Sequence, residues 1–172
     1  MTTGIADQVR PATRADVPAI LEIYNHAVLH TTASYDLEPQ ALEARLAWFD
    51  LRVQEGWPVL VAAQESRVIG WSTYGRFRDK PGYRRSVEHS VYVAPDVQGA
   101  GIGTALMGPL ILHARQGGHH VMIAGVDADN AGSLCFHERL GFVQVAHFRQ
   151  VGHKFGRWLD LVFLQLMLEQ PD

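Results

Sequence analysis

Apolar residues recur at helical spacing over Val17, Ile20, Leu21, Tyr24, Ala27 and Val28, which predicts a first helix. Thr13 and Asp16 precede it at capping-box spacing, with Asp in place of the usual Glu or Gln. A second stripe, Leu42, Leu46, Phe49 and Val53, predicts a helix that begins near Pro39 and stops at Gly56. The pattern then changes. Val59 to Ala63 and Val68 to Tyr74 are short β-branched and apolar runs, expected as strands joined by the polar turn Gln64 to Arg67. Gly75 to Arg85 holds five basic residues with Gly and Pro and is expected as a loop.

Strand character returns from Val87 to Ala94 and ends at Pro95. A helix is expected from about Thr104 to Gln116, kinked where Gly108-Pro109 removes a hydrogen bond. Val121 to Val126 is another strand. Asp129 or Asn130 then caps a short helix that runs to about Leu140 and is closed by Gly141. Two final strands are expected near Val143 to Val151 and Trp158 to Leu168. This order implies an α/β (α+β) sandwich around a central mixed sheet. No repeat, linker or low-complexity tract interrupts it, so residues 1–172 are expected to form one domain with a core of about residues 8–168.

Composition narrows the function classes. At 172 residues with 47% apolar and 19% charged residues, the chain fits one soluble globular domain. A net charge of -3 without a basic stripe argues against a nucleic-acid partner. Apolar runs such as Leu161 to Leu164 are too short to span a bilayer. The opening MTTGIADQVR lacks a secretory leader, and a single Cys135 excludes an internal disulfide; both fit the cytoplasm. No metal is expected: His26 and His30 stand four residues apart, yet no third ligand accompanies them. His119-His120 is expected to be structural or superficial, and Cys135 a small buried filler.

Candidate chemistry concentrates in VEHSVYVAPDVQGAGIGTAL, Val87 to Leu106. Gly99, Gly101 and Gly103 precede a helix, where free amides and the positive helix end favour an anion. A tight turn alone does not require alternate glycines. A dinucleotide fingerprint ending at Asp127 is a second reading. Against it, Pro95 to Gln98 intervene after the strand and about eighty residues precede the unit.

A third reading rests on resemblance. Gln98-x-x-Gly101-x-Gly103 after Val91-Tyr92-Val93 resembles the acyl-CoA motif of the GCN5-related N-acetyltransferases, and Asn130 to Phe142 (NAGSLCFHERLGF) resembles that family's second signature. Arg10 to Thr13, Val87 to Val93 and Gly152 to Asp160 (GHKFGRWLD) are similar to the phosphinothricin and methionine-sulfoximine N-acetyltransferase branch. The resemblance covers essentially the whole chain. It implies a mostly antiparallel sheet with splayed middle strands, acetyl-CoA as cosubstrate, a small amino-acid-like acceptor and a homodimer. It also implies that amides of Gly99, Ala100, Gly101, Ile102, Gly103 and Thr104 hold the pyrophosphate beside Gln98. Val91, Tyr92 and Val93 would pair with the pantetheine arm and polarise the thioester, with Asn130 and Ser133 contacting the cofactor.

An α-amino group arrives protonated and requires a base. Glu88 is the candidate: it shares a strand face with Ser90 and Tyr92, while Val87, His89, Val91 and Val93 take the other. Its alternative is a surface ion pair with Arg84 or Arg85. His137 stands where the broad family places a tyrosine that protonates the leaving thiolate; a core histidine bonded to a carbonyl is the alternative. Arg78 is the candidate for the acceptor carboxylate, with Arg76, Arg84 and Arg85 as alternatives. His89, Ser90, Thr32, Phe77 and Tyr35 are expected at the acceptor pocket, although Tyr35 fits the core equally. Acetylation of another amine (antibiotic, polyamine or protein N-terminus) and non-catalytic acyl-CoA sensing are the competing functions.

Overall fold

The computed structural model describes residues 9–168. The N-terminal segment read for a leader lies outside them, as does residue 8 at the edge of the expected core. Seven strands form one sheet: β1 (Val9–Pro11), β2 (Val59–Gln64), β3 (Arg67–Arg76), β4 (Ser86–Val93), β5 (Val121–Asp127), β6 (Val143–Lys154) and β7 (Arg157–Met167). Their order is β1-β2-β3-β4-β5-β7-β6. Only β4 and β5 run parallel; the other neighbours are antiparallel. Four α-helices complete the fold: α1 (Val17–His30), α2 (Leu42–Glu55), α3 (Ile102–Gln116) and α4 (Ala131–Arg139).

The sheet buries both faces. Val17, Ile20 and Phe49 of α1 and α2 pack on Val59, Val61 and Trp71. On the opposite face Leu106, Met107 and Leu110 of α3 pack on Tyr74, Val87, Met122 and Leu164, with Leu134 and Phe136 of α4 alongside. The period of two within each strand feeds these two cores alternately. No helix among the described residues is long and apolar enough to cross a membrane.

Several boundaries differ from expectation for visible reasons. The predicted start of α2 near Pro39 is corrected to Leu42. The Asn25 side chain takes both backbone groups of Gln40, accepting from its amide at 2.9 Å and donating to its carbonyl at 3.0 Å. That pairing competes with helix formation. The inward stripe of α2 is also corrected: Arg45 and Phe49 are buried, whereas Val53 is exposed. Arg45 lies over the rings of Tyr24 (4.1 Å) and Trp48 (4.6 Å), so aromatic faces take the place of an acidic partner. Helix α3 begins two residues before the expected Thr104, because Gly101 at φ +83° serves as its N-cap. A single helix continues through Gly108-Pro109. Of the two cap candidates for α4, Asn130 performs the task, its Oδ1 accepting the Ser133 amide at 3.0 Å. Strand β1 has no counterpart in the sequence reading, being three residues long and containing a proline. Cys135, expected buried, is exposed, with Arg139 Nη2 at 3.2 Å from its sulfur.

The Thr13–Asp16 pair is present as read. It caps a 3-10 turn, Arg14–Asp16, that leads into α1. Asp16 accepts from the Thr13 amide (2.7 Å) and hydroxyl (3.0 Å) and takes both Arg10 nitrogens at 2.8 and 2.9 Å.

Candidate active site

The site begins as a gap in the sheet. β4 pairs with β5 only at Ser86–Val121, Val87–Met122 and Glu88–Ile123. Beyond these, β4 stays on β3 as far as Val93 and β5 stays on β7 as far as Asp127, so the two strands part. A cleft of about 250 Å³ fills the space. Glu88 to Tyr92 form one wall, and Gly125, Val126 and Asp127 the other. Asn130, Ser133 and His137 of α4 close one end; Thr32, Ala33 and Tyr35, with Leu161 and Phe163 of β7, complete the lining.

Alternation along β4 gives the cleft two chemically distinct sides. Glu88, Ser90 and Tyr92 project toward the α1/α2 face, and Tyr92 stacks on Trp71 with centroids 5.0 Å apart. Glu88 is partly buried, and among the described residues no donor reaches its carboxylate by a hydrogen bond. Burial pushes this carboxyl above its ordinary range, and the charge of Arg78 pulls it back. Gly125 makes room for it: a Cβ there would lie 3.3 Å from the Phe163 ring and 3.4 Å from Glu88 Oε1. The Thr32 hydroxyl donates to Asp127, whose other oxygen accepts the Asp129 amide at 3.2 Å. Tyr35 lies against Gly152 of β6, and Lys154 Nζ donates to the Ser34 carbonyl at 2.7 Å. The β6–β7 hairpin thus holds the loop between α1 and α2 against the cleft.

The α3/α4 side carries the glycines and the histidines. Gly99 and Gly101 adopt φ +81° and +83°, which side-chain-bearing residues rarely do. Gly103 serves proximity instead, since a Cβ there would stand 3.1 Å from the Phe136 ring of α4. The first-turn amides of α3, at Ile102, Gly103 and Thr104, have no acceptor within the helix. His137 is buried, with Nδ1 at 2.7 Å from the Ser133 carbonyl and Nε2 at 3.1 Å from His89 Nε2. Burial lowers the pKa of His137, and it lowers His89 further, to about 3, with the neighbouring His137 adding to the effect.

A split sheet, a left-handed glycine turn at a helix start and an Asn-capped facing helix form one constellation, and comparison with known proteins assigns it. The model of the acetyltransferase (GNAT) family matches residues 19–142. The chain belongs to the GNAT family. This acetyltransferase is 49% identical over 162 residues to the L-amino acid N-acyltransferase MnaT of Escherichia coli, covering 94% of each chain. It is equally similar, 49% over 162 residues, to the L-methionine sulfoximine/L-methionine sulfone acetyltransferase of Salmonella typhimurium, covering 94% of this chain and 95% of that one. Among solved structures, a phosphinothricin acetyltransferase from Sinorhizobium meliloti in complex with acetyl-CoA superimposes with a TM-score of 0.89 at 35% identity, over 92% of this chain and 86% of that one.

The acetyltransferase brings Thr32, Glu88, His89, Ser90, Val91, Tyr92, Asn130, Ser133 and His137 to one cleft. Val93 and Gln98 to Thr104 are not part of its lining: they lead from the end of β4 to the start of α3, where Gln98 Nε2 donates to the Val93 carbonyl at 3.4 Å. Arg78 is exposed and lies over the Phe77 ring at 4.9 Å, and Phe77 meets the cleft-lining Phe163 at 5.9 Å. His89 enters the cleft from the side opposite Glu88, its ring tied to His137. Arg76 pairs with Glu55 at 3.7 Å. Gly125, Leu161 and Phe163 line the cleft without being candidates in the sequence, and Asp127, named there only for the dinucleotide reading, lines it too. A glycine within an otherwise apolar strand was the available signal for Gly125. Among the described residues, no group of three or more His, Cys, Asp and Glu side chains is arranged to hold a metal ion.

Proposed function

We propose that this acetyltransferase transfers the acetyl group of acetyl-CoA to the α-amino group of a small amino acid or analogue of the methionine sulfoximine, methionine sulfone or phosphinothricin type. The observation that carries the reading is Glu88: a partly buried carboxyl, raised by burial and without a hydrogen-bond donor among the described residues, facing a cleft with Arg78 close enough to act on it. A base must accept a proton from an ammonium and release it to water, and a carboxyl raised by burial does this better than an exposed one. Arg78 offers its fork to the acceptor carboxylate, and Phe77 and Phe163 offer an apolar wall to its side chain.

The donor side fits a coenzyme with a pyrophosphate and a long amide-bearing arm. Gly99 and Gly101 at positive φ turn the chain into α3, whose first-turn amides lack intrahelical acceptors and suit an anion. Ser90 to Val93 leave the β5-facing edge of β4 unpaired, which suits an extended arm. Acetyl-CoA supplies an activated thioester there, and an amide of this strand polarises its carbonyl. His137 contributes a neutral imidazole to this side. An amide edge and a raised carboxylate in one cleft, with the glycine turn following the same strand into α3, favour catalysis over acyl-CoA sensing.

Two further features belong to the reading. β6 is a twelve-residue edge strand exposing Val143, Val145, Phe148 and Val151, with Phe155 and Trp158 at the hairpin. Such an edge requires a cover, and a second copy of the chain supplies one. Sedimentation velocity checks the homodimer: Val145→Glu with Trp158→Glu is expected to give a monomer. The cytoplasm suits the exposed single thiol of Cys135. The decisive assay is thiol release from acetyl-CoA, with methionine sulfoximine, methionine sulfone, phosphinothricin, ordinary amino acids and polyamines offered in parallel. Turnover with the first group supports the reading. Turnover confined to polyamines overturns it, and coenzyme binding without turnover favours a sensor.

A further inference from the structure

Two buried imidazoles facing each other present a proton-counting problem that the geometry solves. The Ser133 carbonyl can only accept, so at 2.7 Å His137 Nδ1 carries the proton. A neutral His137 then has a bare Nε2. His89 Nε2, 3.1 Å away, must carry the proton between them. This leaves His89 Nδ1 bare, and that atom is buried without a hydrogen-bond partner among the described residues. His89 is only 7% exposed, and both rings rest edge-on against Phe142.

The arrangement resists a second proton. If His137 became an imidazolium, its Nε2–H would point at the Nε2–H of His89. To accept instead, His89 would have to move its own proton to Nδ1, creating a buried donor with nothing to bond. Among the described residues, no charged group is hydrogen-bonded or ion-paired to either ring. Around the pair stand Ser133 and Phe136 of α4, Phe142, and Tyr74, which faces His89 from β3 and has its own hydroxyl engaged with His113 Nδ1 at 2.7 Å. Glu88 projects from the opposite face of β4, and Asp127 on β5 is engaged by Thr32.

We propose that His89 is a positioning residue of the acetyl-transfer site, holding His137 as a neutral imidazole in one tautomer with its Nε2 lone pair as an acceptor. The inference rests on the acetyltransferase reading given above. It reverses the task the sequence suggests for His137: from Nε2 this ring cannot hand a proton to a departing thiolate, and it supplies a fixed, uncharged wall instead. The depressed pKa of both rings is consistent with this.

The test is ¹⁵N NMR of the imidazoles in the wild-type enzyme, which distinguishes protonated from bare ring nitrogens without requiring turnover. The expected pattern is Nδ1–H on His137 and Nε2–H on His89, unchanged between about pH 6 and 8, the window in which an ordinary histidine titrates. A proton on His137 Nε2, or titration of either ring in that window, overturns the proposal. His89→Phe keeps the ring packing and removes the donor; with acetyl-CoA binding retained, the midpoint of His137 should rise toward its ordinary value of about 6.5. Its kcat should fall on the order of tenfold, as for loss of an orienting outer partner, with the KM for acetyl-CoA unchanged. His89→Gln, which restores an N–H donor, should recover the rate and the tautomer. Equal loss in both variants with no change in the His137 spectrum would mark His89 as packing only. The expected tautomers in an enzyme that acetylates no amine would overturn the functional reading and remove His89 from any reaction.

Discussion

Replacing Glu88 by glutamine separates what this site does for chemistry from what it costs the fold. The carboxylate is partly buried, takes no hydrogen bond from a described residue, and is pushed up by burial against the pull of Arg78. A carboxyl whose native pKa exceeds its unfolded value adds stability only below the unfolded value, and that contribution is lost as pH rises through the native one. At pH 8 the wild-type protein therefore bears the cost of a buried charge, and Glu88→Gln does not. Each unit of upward shift is worth about 1.4 kcal/mol, and 1 kcal/mol corresponds to roughly 2–4 °C in a domain of this size. The variant should melt higher at pH 8, with the gap closing below about pH 4, where both side chains are neutral. Catalysis should move the other way. Loss of a positioned general base removes about 10²–10⁴ in rate, or about 2.7–5.5 kcal/mol of barrier. The assay is the pH profile of kcat/KM from thiol release, beside thermal melts at each pH. In the wild type the acid limb follows ionisation of Glu88 and lies above the ordinary carboxylate range; in the variant that limb disappears. An unchanged limb would take Glu88 out of the mechanism, and a lower melting temperature at every pH would refute the burial argument.

Two further perturbations probe the frame around the site. In Gly152→Ala the new Cβ would lie 2.5 Å from Tyr35 Cε2, forcing the ring and its loop to move. About 1–3 kcal/mol of stability should be lost; the acceptor KM should rise while acetyl-CoA affinity, measured by calorimetry, holds. Asp16→Asn removes a carboxyl held down at about 2, chiefly by Arg10. Its stabilisation is present above about pH 4 and lost as pH falls through the native value, so urea melts should show a deficit of about 1.5–3 kcal/mol at pH 7 that vanishes near pH 2.

Much of this architecture was legible in the chain. Helix α1, strands β2 to β5 and the Asn130 cap follow from periodicity and turn chemistry, because their burial faces are apolar and local signals agree with tertiary packing. Helix α2 was misread where those levels diverge. Its buried face is built on Arg45, whose guanidinium is sheltered by aromatic rings from α1, α2 and β3, a partnership no local window contains. The site divided in the same way. The glycine turn and Glu88 announce themselves through strand alternation and helix-start chemistry. Asp127, Leu161 and Phe163 join the cleft only because β5 and β7 pair in one register. The tautomer of His137 depends on a residue 48 positions away in sequence.

The parting of β4 from β5 has a consequence for how the enzyme tolerates change. Beyond Glu88, one edge of β4 exposes peptide groups rather than side chains as its working surface. Peptide groups are common to every residue but proline, so the recognition written there is indifferent to side-chain identity. Val91 and Val93 should therefore be freely interchangeable among strand-forming residues of similar bulk, while a proline at either position, erasing one amide, should uncouple donor binding without unfolding the sheet.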